Sequence, residues 1–174
     1  MKKALLILLS VIILLSMSLP SSALSRDFGS VQINEIMASN GDTIQNSLGE
    51  SPDWIELKNV SDDDIDLSGL CLSDGKKNLE KFVFPEGIVL PKGGFLVIFC
   101  SDEESVRTLD GGAVEIHTAF KLSADGEKAV LSYEGEILDI VRFDLQTKDV
   151  SWALKDDGTW AFSNIPTPGE KNQF

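Results

Sequence analysis

Three acidic residues lie in or beside apolar runs of strand length, where two of them could act as a carboxylate pair. Glu35 belongs to the run that begins at Val31, and Asp53 and Glu56 belong to the run that ends at Asn59. Glycoside hydrolysis needs two carboxyl groups at a set separation across the sugar. The alternative is structural, because Glu56 and Asn59 can make side-chain to backbone hydrogen bonds that fix a strand end. We predict the structural role.

A run of aspartates at 62–66 is the best candidate for a calcium loop, since hard cations prefer several oxygen ligands close together. However, Leu67 stands where an EF-hand loop needs glycine, and Ser73 stands where it needs a bidentate glutamate. The sequence therefore favours a solvated turn, with calcium binding as the alternative.

The remaining nucleophiles and bases do not form a recognisable catalytic set. His117 is the only histidine, so neither a histidine-based zinc site nor a catalytic triad is expected. Ser61, Ser123 and Ser151 lack the context of a nucleophile elbow. We therefore predict a protein that is not an enzyme and that needs no cofactor or metal.

Three tryptophans, Trp54, Trp152 and Trp160, could form an aromatic platform for sugar rings. In a β-sandwich, tryptophans more often pack in the core or along an edge. Both possibilities remain open from the sequence.

The chain carries a large excess of acid, with 28 Asp and Glu against 15 Lys and Arg and a formal net charge of -13. Nucleic acid is bound mainly by neutralising its phosphates with basic side chains. The basic residues here are scattered among carboxylates, so we expect no nucleic-acid partner. Such a surface instead favours solubility outside the cell.

The first residues have the layout of a secretory signal peptide. Lys2 and Lys3 precede an apolar run at 4–15, and the small residues at 21–23 predict cleavage after Ala23. The alternative is an uncleaved membrane anchor, which is the only membrane association that we expect. Export to an oxidising space would permit Cys71 and Cys100 to pair, and two buried thiols are the alternative.

Short apolar runs with Gly, Asp and Asn turns predict an all-β domain. Strands are expected at 31–36, 53–59, 65–74 with a bulge at Gly69, 82–84, 88–90, 95–100, 114–118, 129–133 and 137–143. Glu134-Gly135 predicts a hairpin, and 101–112 predicts a charged loop with room for one helical turn. We predict an immunoglobulin-like β-sandwich of about eight to ten strands. Residues 1–23 are the signal peptide, 24–30 a short linker, and 31–172 the domain.

An ordered series of motifs gives a more specific indication. They are Ile33-Asn34-Glu35-Ile36, Asp53-Trp54-Ile55-Glu56-Leu57 with Asn59, Asp66-Leu67-Ser68-Gly69 with Leu72-Ser73-Asp74, Leu90-Pro91-Lys92-Gly93-Gly94, Phe120-Lys121-Leu122-Ser123, and Thr167-Pro168-Gly169 with Asn172. Their order and spacing resemble the lamin tail domain in its bacterial extracellular form. Leu70 departs from the family pattern, which commonly has Trp there.

The resemblance implies an immunoglobulin-like sandwich that acts as an adhesion or interaction module and has no catalytic residues. The positions that it marks as structural are Asn34, Glu35, Trp54, Glu56, Asn59, Gly69, Asp74, Pro168, Gly169 and Asn172. Eukaryotic members have been linked to DNA and chromatin, a role that we do not expect in so acidic a chain.

We therefore expect a secreted, non-enzymatic module that binds a protein or polysaccharide at the cell surface. The alternative is a carbohydrate-binding or calcium-assisted accessory module for a separate extracellular enzyme. A third possibility is a structural surface protein that is oligomeric through an exposed strand edge.

Overall fold

The computed structural model describes residues 24–174 and shows an all-β domain. The predicted signal peptide, residues 1–23, lies outside the described residues. A short 3₁₀ helix spans Phe28–Ser30. The strands are β1 (Val31–Met37), β2 (Asp53–Asn59), β3 (Ile65–Asp66), β4 (Cys71–Ser73), β5 (Phe82–Val83), β6 (Val89–Leu90), β7 (Phe95–Cys100), β8 (Ser105–Thr108), β9 (Val114–Thr118), β10 (Gly126–Tyr133), β11 (Glu136–Asp144), β12 (Ser151–Leu154) and β13 (Trp160–Ser163).

Two main sheets carry the fold. The larger has seven strands in the order β13-β12-β1-β2-β7-β9-β8, and the smaller has four in the order β11-β10-β4-β5. Neighbouring strands are antiparallel except for β7 and β9, which run parallel. A short pair, β3 with β6, forms a third sheet. The arrangement confirms the predicted all-β, immunoglobulin-like sandwich.

The core lies between the two main sheets and follows from the alternation of strand side chains. On β2, Ile55 and Leu57 point into the core, and Leu72 and Leu131 reach it from the smaller sheet. All four side chains are completely buried. Trp54 and Glu56 point to the outer face of the larger sheet, which is also covered.

Two segments cover that outer face. The loop at 38–52 lies over a small apolar cluster of Met37, Trp54 and Phe99, with Ile44 packed against it. The C-terminal segment, residues 164–174, lies over the polar part of β1 and β2 through hydrogen bonds from Thr167 and Gly169. Both faces of the larger sheet are therefore covered at its centre.

Several local predictions are confirmed. β2 has the predicted bounds, and β10 and β11 form the predicted hairpin. Glu134 and Gly135 both have positive φ, at 49° and 81°, which is the geometry of a two-residue turn that follows the twist of the strands.

Three local predictions are wrong. Residues 65–74 are not one bulged strand, because the chain changes sheets at Gly69, whose φ of 85° turns it from β3 into β4. Part of 101–112 is not a helical turn, because β8 there pairs with β9. The described residues hold thirteen strands rather than eight to ten, since several are only two or three residues long.

The segment predicted as a linker, residues 24–30, packs on the domain. Phe28 is buried in the core, and its ring contacts that of Tyr133 with centroids 4.7 Å apart. Ser25 also forms a parallel bridge with Ile65. The ordered fold therefore includes these residues.

Cys71 and Cys100 are both buried free thiols. Cys100 belongs to the core cluster, whereas Cys71 alternates with Leu72 and so faces the outer side of the smaller sheet. The two thiols thus lie in different sheets, with Cys100 in the core and Cys71 on the outer side of the smaller sheet. Within residues 24–174, no helix is long and apolar enough to span a membrane.

Candidate functional site

The acids that could have formed a hydrolytic pair lie side by side on the outer face of the larger sheet. Glu35 on β1 is the register partner of Glu56 on β2, and both are fully buried. The register shifts between Ile33 and Glu35, so Asn34 occupies a bulge next to the pair. The bulge brings the Asn34 amide within 2.7 Å of Glu56 Oε1.

The C-terminal segment supplies the other donors to these acids. The Thr167 backbone N–H donates to Glu35 Oε2 at 3.2 Å, and the Gly169 N–H donates to Glu56 Oε2 at 2.5 Å. Ser151 Oγ on β12 donates to Glu35 at 2.5 Å. We call Glu35 and Glu56, together with the donors Asn34, Ser151, Thr167 and Gly169, the carboxylate clasp. It leaves no access for a sugar, and its acids bind the chain itself.

Pro168 and Asn172 lie in the same C-terminal segment as the donors Thr167 and Gly169. Asn172 Nδ2 donates to the backbone oxygen of Asn34 at 3.0 Å and to that of Leu154 at 2.8 Å. Pro168 lies between the two residues whose N–H groups meet the acids. The segment is therefore attached to β1 and β12 at its far end as well as at its turn.

Burial dominates the electrostatics of the clasp. Desolvation raises the pKa of Glu35, offset in part by the bonds from Ser151 and Thr167. Desolvation also raises the pKa of Glu56 to about 7, and the nearby charge of Glu35 adds to the increase. Glu56 thus changes its charge near neutral pH while it stays shut off from solvent.

Asn59 holds the end of β2 against its neighbours. Its Nδ2 group donates to the backbone oxygens of Asp63, Leu90 and Pro91 at 2.7, 3.0 and 3.1 Å, and its Oδ1 accepts from Ser61. The side chain is fully buried.

The aspartates at 62–66 bind different partners. Asp62 forms a salt bridge with Lys92 at 2.6 Å, and Asp64 accepts a bond from the Lys92 N–H. Asp66 pairs with Arg26 at 2.9 Å. In the part of the chain that the structure describes, no group of three or more His, Cys, Asp or Glu residues converges to hold a metal ion.

The tryptophans do not form one platform. Trp54 is fully buried beneath the loop at 38–52. Trp152 and Trp160 stack with ring centroids 6.3 Å apart on β12 and β13, and Phe162 meets Trp152 edge-on at 4.7 Å. The Nε1 groups of Trp54 and Trp152 are buried without a hydrogen-bond partner among the described residues.

The structure gives His117 a polar partner at each ring nitrogen, an arrangement that the sequence did not predict. Its Nδ1 lies 2.9 Å from Ser101 Oγ, and its Nε2 lies 3.2 Å from Glu115 Oε1. Ser47 donates to Glu115 through both its N–H and its hydroxyl, at 2.6 and 2.8 Å. Burial opposes the charged form of Glu115, but the bonds from Ser47 and the contact with His117 lower its pKa.

Ser101, His117 and Glu115 thus form a chain of hydrogen bonds, which Ser47 extends into the 38–52 loop, and His117 within it is 4% exposed. Because the three residues come from a loop after β7 and from alternate positions of β9, only their pairing in space reveals them. A small polar cavity of about 160 Å³ lies beside Ser101 and His117, with Arg107 and Glu50 on its wall. Ser101, His117 and Glu115 thus combine the residue types of a catalytic triad beside a cavity.

A second group that the sequence did not reveal is a cluster of lysines. Lys76, Lys77 and Lys81 in the β4–β5 loop and Lys128 on β10 line a cavity of about 390 Å³, together with Asp74, Gly75 and Asn78. We call it the lysine cup. The adjacent Lys76-Lys77 pair was the only local signal, because Lys128 reaches the site through the pairing of β10 with β4.

Two packed, mostly antiparallel sheets, with a larger sheet that is covered on both faces at its centre, define an immunoglobulin-like β-sandwich domain. The chain belongs to the lamin tail domain family, whose profile matches residues 25–144. This is a family of immunoglobulin-like, non-catalytic domains. No curated protein matches the chain. The strands β12 and β13 and the C-terminal segment lie after the matched residues, yet they supply Ser151, Thr167 and Gly169 to the clasp.

Proposed function

We propose that this chain is a secreted, non-enzymatic module that binds a protein or polysaccharide at the cell surface. The observation that carries the proposal is the closure of the clasp. Glu35 and Glu56 are both 0% exposed and accept bonds from the C-terminal segment, so the acids best placed for hydrolysis serve the fold. Membership in a family of non-catalytic domains supports the same conclusion.

The surface chemistry supports a role outside the cell. The formal net charge of -13 favours solubility and disfavours the binding of nucleic acid. The predicted signal peptide would direct it to export. We then expect the loops and cavities at the edges of the sandwich to contact the partner, as is usual when a rigid scaffold positions exposed segments.

An accessory role for a separate carbohydrate-active enzyme is the second candidate, and one observation favours it. Phe162 on the edge strand β13 is 45% exposed and contacts Trp152, so it offers an aromatic face to a sugar ring. Glycan binding that is lost in Phe162→Ala would support this role, and unchanged binding would eliminate it.

The test of the main proposal is saturable binding of the full chain to the envelope fraction of the cells that produce it. We expect retention on the envelope that competes with unlabelled protein. Protease treatment of the envelope distinguishes a protein partner from a polysaccharide, which periodate oxidation removes. Retention no greater than that of an unrelated acidic protein would overturn the proposal.

A further inference from the structure

The lysine cup is a local concentration of positive charge on an acidic protein. Four lysines surround its cavity, whereas the formal charge of the whole chain is -13. Asp74, the one carboxylate of its lining, is already paired with Lys81 at 2.5 Å. Lys76, Lys77 and Lys128 form no salt bridge with any residue in the 24–174 range. Counting Asp74 and the two glutamates that border the cup, the four lysines still exceed the carboxylates by one positive charge.

The loop that carries these lysines is held in place from below. Ser73 Oγ, fully buried, lies 2.6 Å from the Asn78 backbone oxygen and 3.1 Å from the Gly75 nitrogen. Ser132 Oγ on β10 donates to the Leu79 oxygen at 3.2 Å. A site whose backbone is already ordered loses less entropy when a ligand binds. The backbone that carries the lysines of the cup is therefore fixed by hydrogen bonds to buried side chains.

We propose that the lysine cup binds an anionic group, a carboxylate or a phosphate, carried on an extracellular polysaccharide. This inference rests on the proposed function and specifies its ligand. A lysine ammonium group acts as a point charge, without the rigid bidentate geometry of the arginine guanidinium. Lysines can therefore bind either a carboxylate or a phosphate. A cavity of about 390 Å³ is in the size range of small-ligand sites, and it suits a charged sugar unit.

The surroundings of the cup favour a sparsely charged polymer over nucleic acid. Duplex DNA carries one charge per ~1.7 Å of its axis, so it would bring many phosphates against the acidic surface around the cup. Glu80 and Glu127 lie in the segments that border it. The lining also has no aromatic ring on which a base could stack. A polysaccharide with one anion per sugar or per repeat can place a single charge in the cup.

Binding of the full chain to four immobilised polymers tests the inference. The polymers are polygalacturonate, which supplies carboxylates, poly(glycerol phosphate), which supplies phosphates, neutral dextran, and a DNA duplex. We expect saturable binding to at least one of the two anionic polymers, with none to dextran and weaker binding to DNA. The polymer that binds identifies the anion, and added salt should weaken the binding.

Charge reversal assigns the binding to the cup. The double variant Lys76→Glu/Lys77→Glu should bind the anionic polymer at least about tenfold more weakly, since it replaces two charge-assisted contacts by repulsion. The matched control is Lys121→Glu/Lys148→Glu, which makes the same charge change at exposed positions on other loops and should bind within about twofold of the wild type. Thermal unfolding of each variant verifies that it is folded.

Three results would overturn the inference. They are equal loss of binding in the two double variants, no binding to either anionic polymer, and tighter binding to DNA. If the cup variant still binds the cell envelope like the wild type, the inference fails and the proposed function stands. If the wild type does not bind the envelope at all, the proposed function itself fails.

Discussion

Glu56 lies directly opposite Glu35 across β1 and β2, and neither side chain reaches solvent. Two acids so placed would repel each other as anions in a low-dielectric site. The domain tolerates them because the C-terminal segment brings the N–H groups of Thr167 and Gly169 to the pair. The last residues of the chain therefore act as part of the structure of its first two strands.

Because Glu56 is buried in the clasp, we expect the free energy of unfolding to fall as pH rises. The folded pKa of Glu56, about 7, lies above its ordinary value of 4.5 because burial disfavours the anion. Protonated Glu56 therefore contributes fully to the free energy of unfolding below its pKa in the unfolded chain. This contribution is lost as the pH rises through the pKa of Glu56 in the folded chain. Between about pH 5 and about pH 8, we expect the free energy of unfolding to drop by roughly 1–3 kcal/mol.

Denaturant titration at a series of pH values measures this change. Glu56→Gln removes the titrating group, so its unfolding free energy should depend less on pH than that of the wild type. Glu136→Gln, at an exposed position on β11, is the matched control and should keep the wild-type slope. An identical slope in Glu56→Gln and the wild type would contradict this reading of the clasp.

Removal of the C-terminal segment should destabilise the whole domain. Deletion of residues 164–174 removes the donors from Thr167, Gly169 and Asn172 and uncovers two acids. We expect a loss of about 3–5 kcal/mol in unfolding free energy, measured by denaturant titration. Deletion of Phe174 alone, which is 52% exposed, is the control and should cost less than about 1 kcal/mol. Similar stability of the two truncated chains would show that the clasp contributes little.

Asn59→Asp keeps the shape of the side chain but removes the amide donor. The backbone oxygens of Asp63, Leu90 and Pro91 would lose their hydrogen bonds and face a carboxyl group. We expect about 3 kcal/mol or more of destabilisation at neutral pH, seen as a lower melting temperature. Asn164→Asp, at an exposed position, serves as the control and should melt with the wild type. A melting temperature unchanged by Asn59→Asp would refute this assignment.

The two cysteines should remain reduced in the native protein. Cys71 and Cys100 are 4% and 1% exposed and lie in different sheets, Cys71 on the outer side of the smaller sheet and Cys100 in the core. Burial also raises the pKa of each thiol, which lowers the fraction of reactive thiolate. Alkylation followed by mass spectrometry should modify neither in the native state and both after unfolding. A native mass lower by two hydrogens would instead demonstrate a disulfide.

The parts of the fold that could be predicted depend on local pattern. β2 was predicted at its observed bounds because alternation and a terminal asparagine define it within seven residues. The β10–β11 hairpin was predicted because Glu134-Gly135 fits a tight turn. Gly69 was assigned to a bulge, since a bulge and a passage between sheets place glycine in the same sequence context.

The parts that could not be predicted depend on distant pairing. Gly169 meets Glu56 across 113 positions of the chain, and Lys128 joins the lysine cup only through the pairing of β10 with β4. Ser101 contacts His117 because β7, which Ser101 follows, pairs in parallel with β9. The runs of apolar residues do not specify this pairing.

The central claim is that this sandwich binds a partner and does not catalyse a reaction. Turnover measurements test it most directly. The full chain would be incubated with envelope polysaccharide and with chromogenic glycosides and esters, beside folded Glu56→Gln and Ser101→Ala variants. We predict saturable binding of the polysaccharide and no product above the level of either variant. Product that increases with protein concentration and falls at least about a hundredfold in one folded variant would contradict the claim, since loss of a catalytic group typically costs that much.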